Sequence, residues 1–167
     1  MPEVAAGCLG HFPADEREHL TKKAAAAPQP RRSRPSRSPA PGVRLLSIGD
    51  DVAMGQFLKA VFAAQGFTVE WAGDGIEGLK LARKRRPDLV ILDLLMPYKN
   101  GFEVLRELKA HPETQGVPVI ILSSNSREED IVKALNAGAD DFVVKPFRAR
   151  ELVARARKVL GQAREAS

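Results

Sequence analysis

From Val43 onward the chain repeats one pattern five times: a short apolar run, then an amphipathic stretch with helical spacing. The runs are Val43–Ile48, Phe67–Trp71, Asp88–Leu92, Val117–Leu122 and Asp140–Val144. Their short lengths and β-branched residues predict strands. Between them, Met54, Phe57, Leu58, Val61 and Phe62 recur at helical spacing before Gly66. Phe102, Leu105 and Leu108 do the same before His111-Pro112. Ser126-Arg127-Glu128-Glu129 has the form of a capping box opening a helix through Ile131 and Leu135. Leu152, Ala156, Val159 and Leu160 line a last helix.

Strand–helix alternation of this kind predicts a parallel sheet with helices on both faces. Right-handed crossovers leave few arrangements. The expected fold is α/β, a (βα)5 flavodoxin-like doubly wound sheet, with the strand order 2-1-3-4-5 taken from known flavodoxin-like sheets and not from the pattern itself.

Residues 1–42 break the pattern. They hold seven of the twelve prolines, the alanine run Ala24–Ala27 and the segment PQPRRSRPSRSPAPG. Proline cannot enter a helix interior or a central strand, and the apolar content is too low to offset the entropy of ordering. The expected division is a disordered Pro/Arg-rich tail over 1–42, a domain over 43–161 and a C-terminal end over 162–167. A short helix over Asp15–Ala27 is the one ordered element expected in the tail.

Net charge is +5, and Arg31, Arg32, Arg34 and Arg37 stand between Pro28 and Gly42 with no acidic residue among them. A basic tail on a near-neutral domain points to nucleic acid much less than a uniformly basic surface would. Cys8 is the only cysteine, so no disulfide framework exists. No apolar run approaches the roughly 18 residues of a membrane span. Ala5-Ala6-Gly7-Cys8 has the look of an acylation site but lacks the basic and apolar segments of a signal peptide. A soluble, cytoplasmic protein is expected.

In an open α/β sheet, ligands bind beyond the carboxyl ends of the strands. Strand one exits into Gly49-Asp50-Asp51, strand three into Asp93, strand four into Ser123-Ser124 and strand five into Lys145-Pro146. Clustered carboxylates repel, and a hard divalent cation with oxygen ligands relieves that repulsion. Mg2+, which keeps several waters and also takes phosphate oxygens, suits such a set. A carboxylate beside it can act as a nucleophile towards phosphorus, giving an acyl phosphate. Lys145 offers a point charge to phosphoryl oxygens and Ser123 a hydrogen-bond donor.

Val43 to about Gly161 resembles a response-regulator receiver domain of bacterial two-component signalling. The resemblance rests on the acidic exit of strand one, ILDLLMP around Asp93, ILSS at Ser123, the AGADDF stretch and VVKPF around Lys145. It implies that Asp93 is the phosphoacceptor, with Asp50, Asp93 and the Leu95 backbone carbonyl as Mg2+ ligands and Asp51 as a further candidate. It also implies that Lys145 is the site cation, that Ser123 and Phe142 form the switch, and that Lys145-Pro146 is cis. The phosphodonor would be a histidine kinase or phosphotransfer protein, and the protein would be no classical enzyme, although it assists its own phosphoryl transfer and dephosphorylation. Since the sequence stops soon after the last helix, no DNA-binding domain is expected. Output would then run through the fourth helix, fifth strand and fifth helix to a protein target or a second copy.

One departure stands out. An ungapped match from Arg44 to Asp93 puts Gly49 where receivers carry the first acid of a pair, so the metal site is expected to be weakened. A pseudo-receiver, a constitutive interaction module of the same fold, is the alternative function. A tail-driven nucleic-acid binder is a third.

Plainer readings accompany several motifs. Gly73-Asp74-Gly75-Ile76-Glu77-Gly78 fits the GxGxxG form but follows the second strand, and is expected to be a turn and helix start. Arg83-Lys84-Arg85-Arg86 suits a helix C-terminus and its macrodipole. Asp50 or Asp51 is expected to cap the first helix. Phe142 serves equally well as plain core. His11, His19 and His111 have no metal-ligand company.

Overall fold

Alternate residues of a strand point to opposite faces of a sheet, and here both sets are apolar. Leu45, Leu89, Ile91, Ile120 and Leu122 pack into one core cluster. Leu46, Ile48, Val90, Leu92, Val119 and Ile121 pack into the other. A sheet apolar on both faces must be covered twice.

The computed structural model describes residues 42–166. Strands β1 (Arg44–Ile48), β2 (Thr68–Ala72), β3 (Leu89–Asp93), β4 (Val119–Ser123) and β5 (Asp141–Val144) form one parallel sheet in the order β2-β1-β3-β4-β5. Helices α1 (Val52–Ala63) and α5 (Ala149–Glu165) cover one face. Helices α2 (Gly75–Arg85), α3 (Gly101–Ala110) and α4 (Glu128–Asn136) cover the other. This is the doubly wound (βα)5 arrangement that the alternation predicts. The expected tail apart from Gly42, with its short helix, Cys8, His11 and His19, lies outside the described residues. Among those described, no helix is long and apolar enough to cross a membrane.

Several strands lie a residue or two later than the apolar runs suggest. The ladders pair Asp93 with Leu122 and Ser123 with Val144, so both polar residues are last strand positions and not loop residues. Backbone pairing ignores side-chain polarity, which is why an apolar pattern stops short of the true ends.

The start of α4 also differs from expectation. Ser126 does not cap it; the N-cap position is Arg127, without a side-chain bond. Asn125 does the work instead. Its Oδ1 accepts from the Arg127 N–H at 3.1 Å, and its amide donates to Asp130 Oδ2. An amide side chain accepts and donates from separate atoms, so it can tie the loop to the first turn of the helix.

Gly73–Gly78 is indeed a turn and helix start. Asp74 Oδ1 accepts from the Glu77 N–H at 2.8 Å, and Glu77 Oε2 accepts from the Gly73 N–H at 3.0 Å, a variant of the capping box in which the glutamate reaches the residue before the N-cap. Arg83, Lys84 and Arg85 occupy the last turn of α2. Gly101 marks a close approach. A Cβ there would lie 2.5 Å from the Asp93 carbonyl oxygen and 2.6 Å from Leu94 Cα, so only glycine lets α3 start against the end of β3.

Candidate functional site

All five strands run parallel, so the last positions of β1, β3, β4 and β5 meet at one edge of the sheet. Asp93 closes β3 and is 8% exposed. Its Oδ2 accepts from Lys145 Nζ at 2.5 Å, and its Oδ1 from the backbone N–H of Leu95 at 3.1 Å. The backbone N–H of Lys145 donates to the Ser123 carbonyl at 2.8 Å, which ties the base of the lysine to the end of β4. The bond between Lys145 and Pro146 is cis.

Ser123 is fully buried, and its Oγ accepts from the Asn125 N–H at 3.1 Å. Its hydroxyl is therefore held by its own loop. Phe142 is buried in the core cluster shared with α2, α3 and α4. The ring lies inside already, so a switch that brings it in from solvent does not start from this arrangement.

The β1 side is built differently. At Gly49 a Cβ would lie 3.3 Å from Asp93 Cβ and 3.9 Å from its Oδ2, so a side chain here would face the Asp93 carboxylate. Asp50 is exposed and makes no side-chain hydrogen bond or ion pair among the described residues. Asp51 is the N-cap of α1, its Oδ1 accepting from the Met54 N–H at 3.1 Å. Leu95 is exposed, and no hydrogen bond to its carbonyl occurs among the described residues.

Trp71 is a residue that pattern reading passed over. With Gly49, Asp51, Gly55 and Asp93 it lines a cavity of about 10 Å³, room for roughly one water. The indole lies against Gly55, where a Cβ would come within 2.6 Å of the ring. Gly55 was the available signal, because a glycine inside a helical pattern often marks a packing reason. Asn125 was missed as well; its position two residues after Ser123 was the only hint.

Asp50, Asp93 and the Leu95 carbonyl are hard oxygen donors, the types that Mg2+ takes alongside water. Among the described residues no group of three or more His, Cys, Asp and Glu side chains is placed to hold a metal. Donors of this kind suit an ion that keeps most of its hydration and not an all-protein cage.

Comparison with known proteins agrees with this geometry. The response regulator receiver domain family matches residues 45–157. The DNA-binding response regulator MtrA of Mycolicibacterium paratuberculosis is 42% identical over 114 residues, covering 68% of this chain and 49% of that protein. The chain thus spans about half the length of the curated relatives it matches. A putative response regulator from Chloroflexus aurantiacus superposes with a TM-score of 0.69 at 31% identity, covering 72% of this chain and 98% of that one. The receiver domain of a Pseudomonas aeruginosa sensor histidine kinase gives 0.67 at 28% identity, with 72% and 98% covered, and its structure has a magnesium ion coordinated in the active site cleft. Receiver domains take phosphoryl groups from histidine kinases and signal through protein contacts; they are signalling modules and not classical enzymes. Fold, strand-end chemistry and a match over most of the described residues agree: the chain belongs to the response regulator receiver domain family.

Proposed function

We propose that this chain is a phosphorylation switch that receives a phosphoryl group on Asp93 from a histidine kinase or phosphotransfer protein in the cytoplasm. The observation that carries the reading is the Asp93 carboxylate, nearly buried yet held by Lys145 on one oxygen and the Leu95 N–H on the other. An Asp93 oxygen forms the new bond to phosphorus while the donor's N–P bond breaks and its imidazole leaves as the neutral ring, taking a proton from solvent. Lys145 passes from the carboxylate to the phosphoryl oxygens, so the positive charge stays at the reacting centre throughout. Mg2+ held by Asp50, Asp93 and the Leu95 carbonyl, with Asp51 as a further candidate, would offset negative charge on the transferring group.

The Ser123 hydroxyl, whose Oγ accepts from the Asn125 N–H, then turns its O–H to donate to a phosphoryl oxygen. A hydrogen bond to a charged group contributes roughly 1.5–3 kcal/mol, enough to shift a two-state equilibrium by about ten- to a hundredfold. The output face in this reading is α4, β5 and α5, contacting a protein target or a second copy. Val132 and Leu135 are exposed on α4. Alongside, Arg155 bridges Asp141 and Glu151, and those bonds, Asp141 first, hold its guanidinium above its usual pKa.

A second reading rests on Gly49. With no carboxylate there, a pseudo-receiver that binds partners without phosphorylation keeps the same fold. Incubation with a small-molecule phosphodonor, with and without Mg2+, followed by intact-mass measurement separates the two. The switch predicts one Mg2+-dependent phosphoryl adduct that Asp93→Asn abolishes. No adduct in the wild type supports the pseudo-receiver, and an adduct surviving in the variant would falsify the choice of Asp93.

A further inference from the structure

Away from the acceptor site, an open groove of about 590 Å³ runs between α2 and α3 with the loop that precedes it. Its apolar strip is Ile76 and Leu79, and Ile76 is 65% exposed. Around the strip stand Lys80, Arg83, Lys84 and Lys99. Positions 76, 79, 80 and 83 share one face of α2 by helical spacing.

The charge here exceeds what the helix end explains. Arg85 pairs with Glu70 at 3.2 Å and Arg86 with Glu113 at 3.1 Å, so the cations turned from the groove are matched locally. Within the groove the one carboxylate, Glu107, is already engaged by Lys99 and, at 3.9 Å, by Arg83. Lys80 and Lys84 make no ion pair among the described residues. Lys80 lies a turn before the helix end and Lys99 is not on the helix at all, so the macrodipole accounts for neither.

We propose that this groove binds an acidic amphipathic helix of a partner protein. An apolar side chain of that helix would cover Ile76 and Leu79, while Asp or Glu residues flanking it would meet Lys80, Arg83, Lys84 and Lys99. An apolar floor argues for a peptide over a nucleic acid, whose backbone offers phosphate and sugar. The arginine-rich segment of the chain's own tail has the wrong sign. A second copy docking an acidic helix here would make a head-to-tail contact and not the self-complementary two-fold interface commonest in dimers.

The test uses the full chain and a fluorescein-labelled designed helix with a leucine stripe flanked by glutamates, followed by anisotropy. Saturable binding is expected, weakened about tenfold by the double variant Lys80→Glu/Lys84→Glu and about fivefold by Ile76→Ser. Circular dichroism and the thermal unfolding midpoint check that both variants remain folded. A matched peptide with lysine for glutamate should not bind. Absence of saturable binding, or equal binding by the double variant, removes the proposal. Equal binding of a single-stranded oligonucleotide that ignores Ile76→Ser makes the groove a nucleic-acid site instead. Self-association in sedimentation that the double variant abolishes assigns the groove to a second copy.

Discussion

The two sides of Asp93 are built to different standards. Towards β5, the ammonium of Lys145 reaches the carboxylate while its backbone is bonded to Ser123, so strand pairing positions the cation. Towards β1, Gly49 presents no side chain, Asp50 extends into solvent and Asp51 is occupied as a helix cap. In the proposed function, the groups that would handle the phosphoryl oxygens are in place, and those that would handle the metal are one carboxylate short. The β1 and β3 ends are themselves in register, Ile48 opposite Leu92, so the difference teaches that a parallel sheet aligns strand ends for chemistry only where the residue at the aligned position carries the group. Metal dependence and phosphoryl affinity can then change separately.

The β5 side should show the larger effect when broken. Lys145→Met keeps most of the length of the side chain and removes its charge, leaving Asp93 with only the Leu95 N–H. The initial rate of adduct formation from a small phosphodonor is expected to fall about a hundredfold, the usual scale for one lost electrostatic stabiliser. Dependence on Mg2+ should persist. A loss smaller than about threefold would mean that Lys145 merely packs against the carboxylate.

Ser123→Ala breaks the link from this side to the output face. Asp93 should still be phosphorylated, while the response of α4, β5 and α5 weakens about tenfold. Backbone NMR shifts of phosphorylated wild type and variant make the comparison directly. If both show the same changes on those elements, or if the largest changes fall on α1, the Ser123 hydroxyl is not the coupling group. Because Phe142 is buried before any phosphorylation, the response is expected on the surface of α4 more than in the core.

How far these features were legible in the sequence depends on the range of the interaction. Two-sided burial followed from the apolar runs, because β3 and β4 are buried along their whole length, whereas the strand order came from analogy with flavodoxin-like sheets. The strand ends did not, since Asp93 and Ser123 pair in the ladder although both are polar. The residues at the acceptor edge could be named from their strand exits, and the structure brings Asp93, Leu95 and Lys145 into contact. Asn125 displaced the expected Ser126 cap through a bond to Asp130 that local spacing does not reveal. Trp71 reaches Gly55 across 16 positions of sequence, and the groove of α2 draws Lys99 from another loop. Such long-range contacts have no periodic signature.

Gly49→Asp sharpens the comparison by restoring the missing acid. The added Cβ would sit 3.3 Å from Asp93 Cβ, a tight contact that a small shift of the Asp93 side chain can relieve. The new carboxylate then faces the old one. Without metal the two repel, so the urea midpoint of the variant should fall below that of the wild type. With Mg2+ the same pair becomes a better ligand, and affinity should rise about fivefold, equivalent to about 1 kcal/mol. Binding to the folded state alone adds stability with ligand concentration, so the gap between the two midpoints should narrow as Mg2+ is raised. Trp71 is the only tryptophan and lines the cavity between Gly49 and Asp93, so its fluorescence can follow the titration without a label. Equal or weaker Mg2+ affinity in the variant would show that Asp51 already serves from its capping position, and the β1 side would then be complete in a way that its hydrogen bonds do not suggest.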